Sequence, residues 1–343
     1  MEQTNQYVKQ FPELMKGKTV MYVHGFGSSG QSGTVARLRT VMPNARIIAP
    51  DVPVHPAEAQ ALLHELCEKE KPNLILGTSM GGMYTEQLYG FDRICINPAL
   101  CIADTMQAHG MTGTQTFQNP RQDGVQQFYV DKAMVKEYRL ASEQRFSGIN
   151  DEERYRVYGL FGDRDDLVDT YSLFTEHYPL ATHFHGEHRM DDRSFMHAVI
   201  PVIRWIDDQQ EHRQRPIIYI GIETLMERRG ERGERRENRE ERRPASSAQK
   251  AVRLLIENYQ VYFVGENDES QWLEEYINVP AWRHTICTPR RDLLYGDYLI
   301  EQKEARAKRK GEDDPMATLL DFGSDTFKTW EDIIEYFSRL GGQ

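Results

Sequence analysis

The sequence predicts an α/β fold with a mostly parallel sheet, followed by a second, smaller Rossmann-like α/β domain. Three observations carry that reading. From residue 18 to 208, short β-branched apolar runs alternate with helical patterns, the order that covers a parallel sheet with helices on both faces. The apolar run Leu74-Ile75-Leu76 passes directly into Gly77-Thr78-Ser79-Met80-Gly81-Gly82, a strand feeding a sharp turn. After the polar stretch 207–215, which offers no apolar anchor, Pro216 opens a new strand, Ile217-Ile218-Tyr219-Ile220, and the alternation resumes.

In order, strands are expected at 19–23, 46–49, 74–76, 93–96, 156–161 and 182–185, each an apolar run bounded by polar or turn-forming residues. Helices are expected at 31–42, 56–69, 80–89 and 195–208; in the last, Phe195, Val199, Ile200 and Ile203 recur at helical spacing. The alternation fails between Asn97 and Asp151. That stretch reads as a lid over an active site, about 100–150, with one helix near 131–143. A first domain at 1–212 and a second at 213–343 follow. The second contains the insertion 227–243, whose eight Arg and six Glu read as a solvated charged segment. Beyond it come a helix at 248–258, a strand at 261–264 and a last helix opening at Thr329, where Thr-Trp-Glu-Asp resembles a capping box.

A formal net charge of -11 over 343 residues argues against a broad nucleic-acid or membrane-surface role. Neither partner is expected. The four cysteines, Cys67, Cys95, Cys101 and Cys287, show no C-x-x-C spacing and read as reduced core thiols, with no metal site. The N-terminus has neither a basic nor an apolar leader region, and no run approaches a membrane span. A cytoplasmic protein is the expectation.

The chemistry centres on Ser79. A serine on a tight strand-to-helix turn sits in a strained conformation, and Gly77 and Gly81 leave room for the backbones to pass. Such a serine needs a base to take its proton and an acid to orient that base, in the chain order Ser, Asp or Glu, His. After the strand at 156–161 comes Gly162-Asp163-Arg164-Asp165-Asp166; Asp165 is favoured as the acid, with Asp163 and Asp166 open. The strand at 182–185 ends in Gly186-Glu187-His188, which makes His188 the base ahead of His183, His185 and His197. Two N–H donors must face the oxyanion. Met80 follows the nucleophile, and Phe26 lies in the supporting loop His24-Gly25-Phe26 after the first strand. The same loop, Gly25-Phe26-Gly27-Ser28-Ser29-Gly30, also fits G-x-G-x-x-G with Asp51 at the next strand end, a competing dinucleotide fingerprint.

On His24-Gly25-Phe26, Gly77-Thr78-Ser79-Met80-Gly81-Gly82, Asn97-Pro98-Ala99 and Gly186-Glu187-His188, residues 18–208 resemble the YqiA/YcfP-type small esterases of the α/β-hydrolase superfamily. The resemblance implies a minimal α/β-hydrolase cleaving acyl esters or thioesters, with Ser79 as nucleophile, His188 as base, Asp165 as orienter and no cofactor. The second domain looks like a haloacid-dehalogenase-type 5'-nucleotidase, on Ile218-Tyr219-Ile220-Gly221-Ile222-Glu223-Thr224-Leu225, the segment from Arg291 to Glu301, and Asp321-Phe322-Gly323-Ser324. That family attacks phosphate with an aspartate where this chain has Gly221. The resemblance therefore implies a non-catalytic domain kept for packing, homo-oligomerisation or ligand sensing, any residual Mg²⁺ or nucleotide contact falling to Glu223, Asp297 or Glu301. A serine esterase or thioesterase is the expected function; the alternatives are a ligand-binding regulatory or scaffold pseudo-enzyme, and an acyltransferase using the same three residues.

Overall fold

The structure, a computed structural model, describes residues 8–227, 243–308 and 315–340. The insertion at 227–243 therefore lies almost wholly outside the described residues. The chain divides into two compact units, Met1–Gln210 and Glu211–Gln343.

In the first unit the strands are β1 (Thr19–Val23), β2 (Arg46–Ile48), β3 (Leu74–Thr78), β4 (Arg93–Ile96), β5 (Gly113–Thr116), β6 (Gln127–Val130), β7 (Val157–Gly162) and β8 (Ala181–Phe184). Six of them form one sheet in the order β2-β1-β3-β4-β7-β8, and every pair is parallel. Its inner strands are covered on both faces, which is why they read as continuous apolar runs. Helices α1 (Gly33–Val41), α2 (Pro56–Glu70), α3 (Met80–Glu86), α4 (Ile102–Ala108) and α5 (Lys132–Ser142) connect or cover them. The chain steps outward from β1 to β2, then returns across β1 to β3. The strand order thus reverses between β1 and β3, where such sheets open a crevice at their carboxyl ends. Val23 pairs with Gly77, Thr78 with Ile96 and Gly162 with Phe184, so the loops after β1, β3, β7 and β8 emerge at one end.

The structure adds to several of these expectations and corrects others. The stretch 97–151 holds the expected helix as α5 and, unforeseen, α4 and the antiparallel hairpin β5–β6. The hairpin strands are too polar to show apolar alternation; their loop is held from outside, Gln118 N–H donating to Gly27 O at 2.8 Å and Ser29 Oγ–H to Pro120 O at 2.6 Å. The expected helix at 195–208 is a π-helical turn, Phe195–Val199, leading into Ile200–Gln210. The run 207–215 offers no apolar anchor, but its polar Asp207 is fully buried and accepts from Lys18 Nζ at 2.7 Å. Among the cysteines, Cys67 and Cys95 are core thiols whose pKa burial pushes up, Cys67 to about 11, whereas Cys287 is exposed on an edge strand.

The second unit is a five-stranded parallel sheet in the order β11-β10-β9-β12-β13, formed by β9 (Ile217–Gly221), β10 (Gln260–Gly265), β11 (Thr285–Cys287), β12 (Tyr295–Gln302) and β13 (Met316–Phe322). It is a doubly wound order with β9 at the centre. Helix Ala248–Asn258 buries Ala251, Val252 and Leu255, and helix Trp330–Leu340 buries Trp330, Ile333 and Phe337 at helical spacing. That last helix is capped as expected at its start: Asp332 Oδ2 accepts from Thr329 N at 2.8 Å and Oγ1 at 3.0 Å. Among the described residues, no helix is long and apolar enough to cross a membrane.

Two consequences are measurable. Arg93 is fully buried at the start of β4; its guanidinium meets Glu153 and donates to Glu86 O. Removing one partner of a buried ion pair strands the other, so Glu153→Ala is expected to lower the unfolding free energy by about 3–5 kcal/mol in denaturant titration. His284, buried and donating from Nδ1 to Val261 O at 2.7 Å, has its pKa lowered by burial to about 4 from 6.5. The fold therefore holds a neutral ring that the unfolded chain protonates below 6.5. Stability from this group is full above pH 6.5 and declines as pH falls towards about 4. The second unit is expected to lose stability across that window, and His284→Asn to flatten the decline.

Candidate active site

The turn after β3 is built by exclusion. Ser79 adopts φ 54° and ψ −120°, a region that costs a non-glycine residue on the order of 1–3 kcal/mol. It is held there by its N–H donating to Ile96 O at 3.0 Å and by its carbonyl accepting from Met83 N at 3.1 Å and Ala99 N at 3.0 Å. The flanking glycines are steric necessities. A methyl on Gly77 would lie 2.2 Å from Gly81 O, and one on Gly81 would lie 2.0 Å from Val23 O.

That turn points Ser79 at His188. His188 Nε2 stands 3.0 Å from Ser79 Oγ, and its Nδ1 is 2.8 Å from Asp165 Oδ2. Asp165 Oδ1 in turn accepts from the N–H groups of Leu167 and Val168, both at 2.9 Å. Burial pushes the Asp165 carboxyl up, but the bond from His188 and those two N–H donors outweigh it, so its pKa lies below the ordinary carboxylate range. The ionised carboxylate accepts. Nδ1 of His188 therefore carries the proton, which leaves Nε2 free to accept from the serine hydroxyl.

The competing residues are occupied elsewhere. Asp163 Oδ2 pairs with His185 Nδ1 at 2.9 Å and its Oδ1 accepts from Gly186 N; Asp166 is exposed. The His183 ring packs against Tyr171 at 4.0 Å, and His197 is buried within the π-helical turn. His24 is a structural clip: its Nε2 accepts from Val52 N at 2.9 Å, which puts the ring proton on Nδ1, donating to Gly25 O. Burial holds its pKa below the usual value.

Among the described residues the N–H groups of Phe26 and Met80 have no protein acceptor. Gly25 brings its loop against Ser79; a methyl there would lie 3.3 Å from Ser79 Cβ. The Phe26 ring fixes the loop edge-on against Phe128, with centroids 5.2 Å apart. The dinucleotide reading loses its acid. Asp51 is spent on the protein itself, accepting from Gly30 N at 2.8 Å and Gln122 N at 2.6 Å.

Asn97 entered the sequence reading only within Asn97-Pro98-Ala99, with no role of its own, and it ties the site together. Buried just past β4 with φ 43°, it donates from Nδ2 to Glu187 O and His188 O, both at 3.1 Å, while Oδ1 accepts from Gly162 N at 2.7 Å. One side chain thus links the loop of the histidine to the strand end of the acid. The sequence signal was the motif Asn97-Pro98-Ala99 behind a strand, which carries no hint of the loops the side chain joins.

Ser79 and His188 open on a cavity of about 500 Å³ that Ile102, Met106 and Met111 help to line. No group of His, Cys, Asp and Glu residues that could hold a metal occurs among the described residues.

Residues 19–183 match the family described as Uncharacterised protein family (UPF0227), on the part of the chain that resembles the esterases. Solved structures similar to this chain include a monoacylglycerol lipase of Paleococcus ferrophilus, 15% identical over 55% of this chain and 94% of that one with a TM-score of 0.39. Est1E of Butyrivibrio proteoclasticus with ferulic acid bound is 13% identical over 59% and 92%, with a TM-score of 0.40. The α/β fold stated above rests on the strand order of the chain itself. A protein of Vibrio phage KVP40, named as a candidate 5'(3')-deoxyribonucleotidase, is 23% identical over 104 residues, 28% of this chain; the chain spans 59% of that relative's length.

In the second unit, Glu223, Gly265, Arg291 and Glu301 line a cavity of about 350 Å³ at the carboxyl end of β9. The Glu223 carboxylate folds over Gly221, where a methyl would lie 2.4 Å from its Oε1. Asp297 is not with them. It accepts from Ile217 N at 2.7 Å, at the opposite end of β9, so Glu223, Asp297 and Glu301 do not form one site.

Loss of the Asn97 side chain is expected to loosen both loops it joins. In Asn97→Ala, amide hydrogen exchange should quicken across 162–168 and 185–190 and stay unchanged in β1. Equal exchange in both proteins would show that the loops hold themselves.

Proposed function

We propose that the first unit is a serine hydrolase of carboxylic esters or thioesters working through an acyl-enzyme. The observation that carries this reading is the unbroken hydrogen-bonded series Ser79, His188, Asp165 on a strained turn that faces a cavity. In the proposed reaction Ser79 Oγ attacks the carbonyl carbon while His188 Nε2 takes its proton, and the carbonyl oxygen becomes the oxyanion. The otherwise unused N–H groups of Phe26 and Met80 supply its donors; losing one such donor costs on the order of 10²–10³ in rate. His188 then gives the proton to the departing alkoxide or thiolate. Water, deprotonated by the same imidazole, cleaves the acyl-serine.

The second unit takes no chemical part in this proposal. Gly221 offers no nucleophile, and the Glu223 carboxylate fills the space above it. The match between residues 19–183 and UPF0227, together with the esterase resemblance of that stretch, supports assigning the reaction to the first unit.

A fluorophosphonate probe should label the native protein at Ser79 alone. Ser79→Ala should abolish the label and lower hydrolysis of short aryl esters at least about 10³-fold. A folded native protein that neither takes the label nor cleaves any ester of the panel would sink the proposal.

A further inference from the structure

The cavity that holds Ser79 has two unlike walls. Ala99, Ile102, Met106, Met111 and Leu167 make one side apolar. The facing end comes from β1, the turn at Thr78 and the first turn of α1: Tyr22, Ser32, Gly33, Thr34, Arg37 and Thr78. Arg189 adds a second cation to the lining, and no aspartate or glutamate lines the cavity, in a chain whose formal net charge is -11.

The polar end has donors to spare. Ser32 is the N-cap of α1, yet its hydroxyl makes no cap bond; the residue is only 7% exposed, and its Oγ has no partner in hydrogen-bond geometry although the Tyr22 hydroxyl lies beside it. A buried hydroxyl without a partner is costly, and a ligand oxygen at this end would supply one. The N–H groups of Gly33 and Thr34, the first two residues of this nine-residue helix, have no acceptor among the described residues. The first turn of α1 holds no acid. The helix dipole and these amides together favour an anion.

Arg37 completes the set. Its Nε bonds to Asp192, outside the cavity lining, and a methyl on Gly33 would lie 3.9 Å from its Nη1, so the guanidinium lies back over the first turn. Tyr22 Oη and Thr78 Oγ1, 2.8 Å apart, continue the row of hydroxyls towards Ser79. The nearby charges are few. Asp192 offsets part of the Arg37 charge, Asp191 is committed to the Ser194 N–H at 2.7 Å, and Arg189 donates to the neutral Gln118.

We propose that this end of the cavity binds an anionic oxygen group of the substrate, a carboxylate or a phosphate, while Ser79 attacks an ester elsewhere in the same molecule. The inference rests on the hydrolase reading above and narrows its substrate class to anionic esters. The anion receives the Ser32 hydroxyl, the Gly33 and Thr34 amides and the Arg37 guanidinium. The apolar wall takes the hydrocarbon part.

Two matched pairs of probes test it with the full chain. 4-Nitrophenyl hemiglutarate against 4-nitrophenyl valerate puts the charge on the acyl group; 4-butyryloxybenzoate against 4-butyryloxybenzamide puts it on the leaving group. The charged member of one pair is expected to have kcat/KM at least about 10-fold higher, with the preference shrinking as salt rises. Arg37→Gln and Ser32→Ala should each reduce that ratio, and Arg37→Lys should restore part of it. Competitive inhibition of the unaltered protein by inorganic phosphate or glutarate needs no variant, and the stronger inhibitor identifies the group. Hydrolysis without charge preference in either pair, and without inhibition by either anion, would overturn this inference and leave the hydrolase reading standing. Absence of both turnover and fluorophosphonate labelling would overturn the two together.

Discussion

The site depends on one close approach of backbone to backbone, where the turn after β3 passes beneath the end of β1. With Gly81 a methyl's width from the Val23 carbonyl, and Gly77 equally tight against Gly81, the chain has no room for a side chain at either position. This closeness does two things at once. It forces Ser79 into its positive-φ conformation at the start of α3, and it brings the loop after β1 to within van der Waals reach of the serine. Ser79 and the Phe26 amide are therefore positioned by a single packing constraint. The parallel pairing of β1 with β3 supplies it.

The other half of the site answers to a different constraint, the need to hold two loops that share no strand pairing beyond their bases. Asp165 and His188 lie in the loops after β7 and β8, and such loops are ordinarily the mobile part of a fold. Asn97 removes that freedom by bonding to Gly162 on one side and to Glu187 and His188 on the other. Its own positive φ is the cost of reaching both. The Leu167 and Val168 amides then fix the carboxylate orientation, so Asp165 faces His188 and its charge is answered from both oxygens.

Much of this was legible because the chemistry is local in sequence. Gly77, Ser79, Gly81 and the apolar run before them sit within a few residues, and the strand ends that carry Asp165 and His188 follow from periodicity alone. What stayed hidden depends on contacts between distant residues. Three aspartates in one turn differ only in which way they point; His185 claims Asp163, and that pairing spans 22 residues. The β5–β6 hairpin has no apolar stripe because its loop is held through Gly27, Ser29 and Asp51. Asp207 looks like a surface acid until Lys18 is found beside it. In the second unit, Glu223, Asp297 and Glu301 looked like one acidic set, and only the strand register sends Asp297 to the far end of β9.

Charge placement links these observations to substrate choice. A chain with this excess of acid would be expected to repel anions, and the Asp165 carboxylate behind His188 would add to the repulsion. The structure separates the two effects. Asp165, its side chain 3% exposed, keeps its charge but is held by hydrogen bonds from His188 and two amides, and it does not line the cavity. The surface acids lie outside the lining. What remains along the lining is the helix terminus, a row of hydroxyls, the half-buried guanidinium of Arg37 and the exposed one of Arg189. Field strength in a crevice is set by the nearest charges and by low-dielectric walls, not by the net charge of the whole chain. An acidic protein can in this way present a locally basic cavity, and the strained Ser79 lies in its lining.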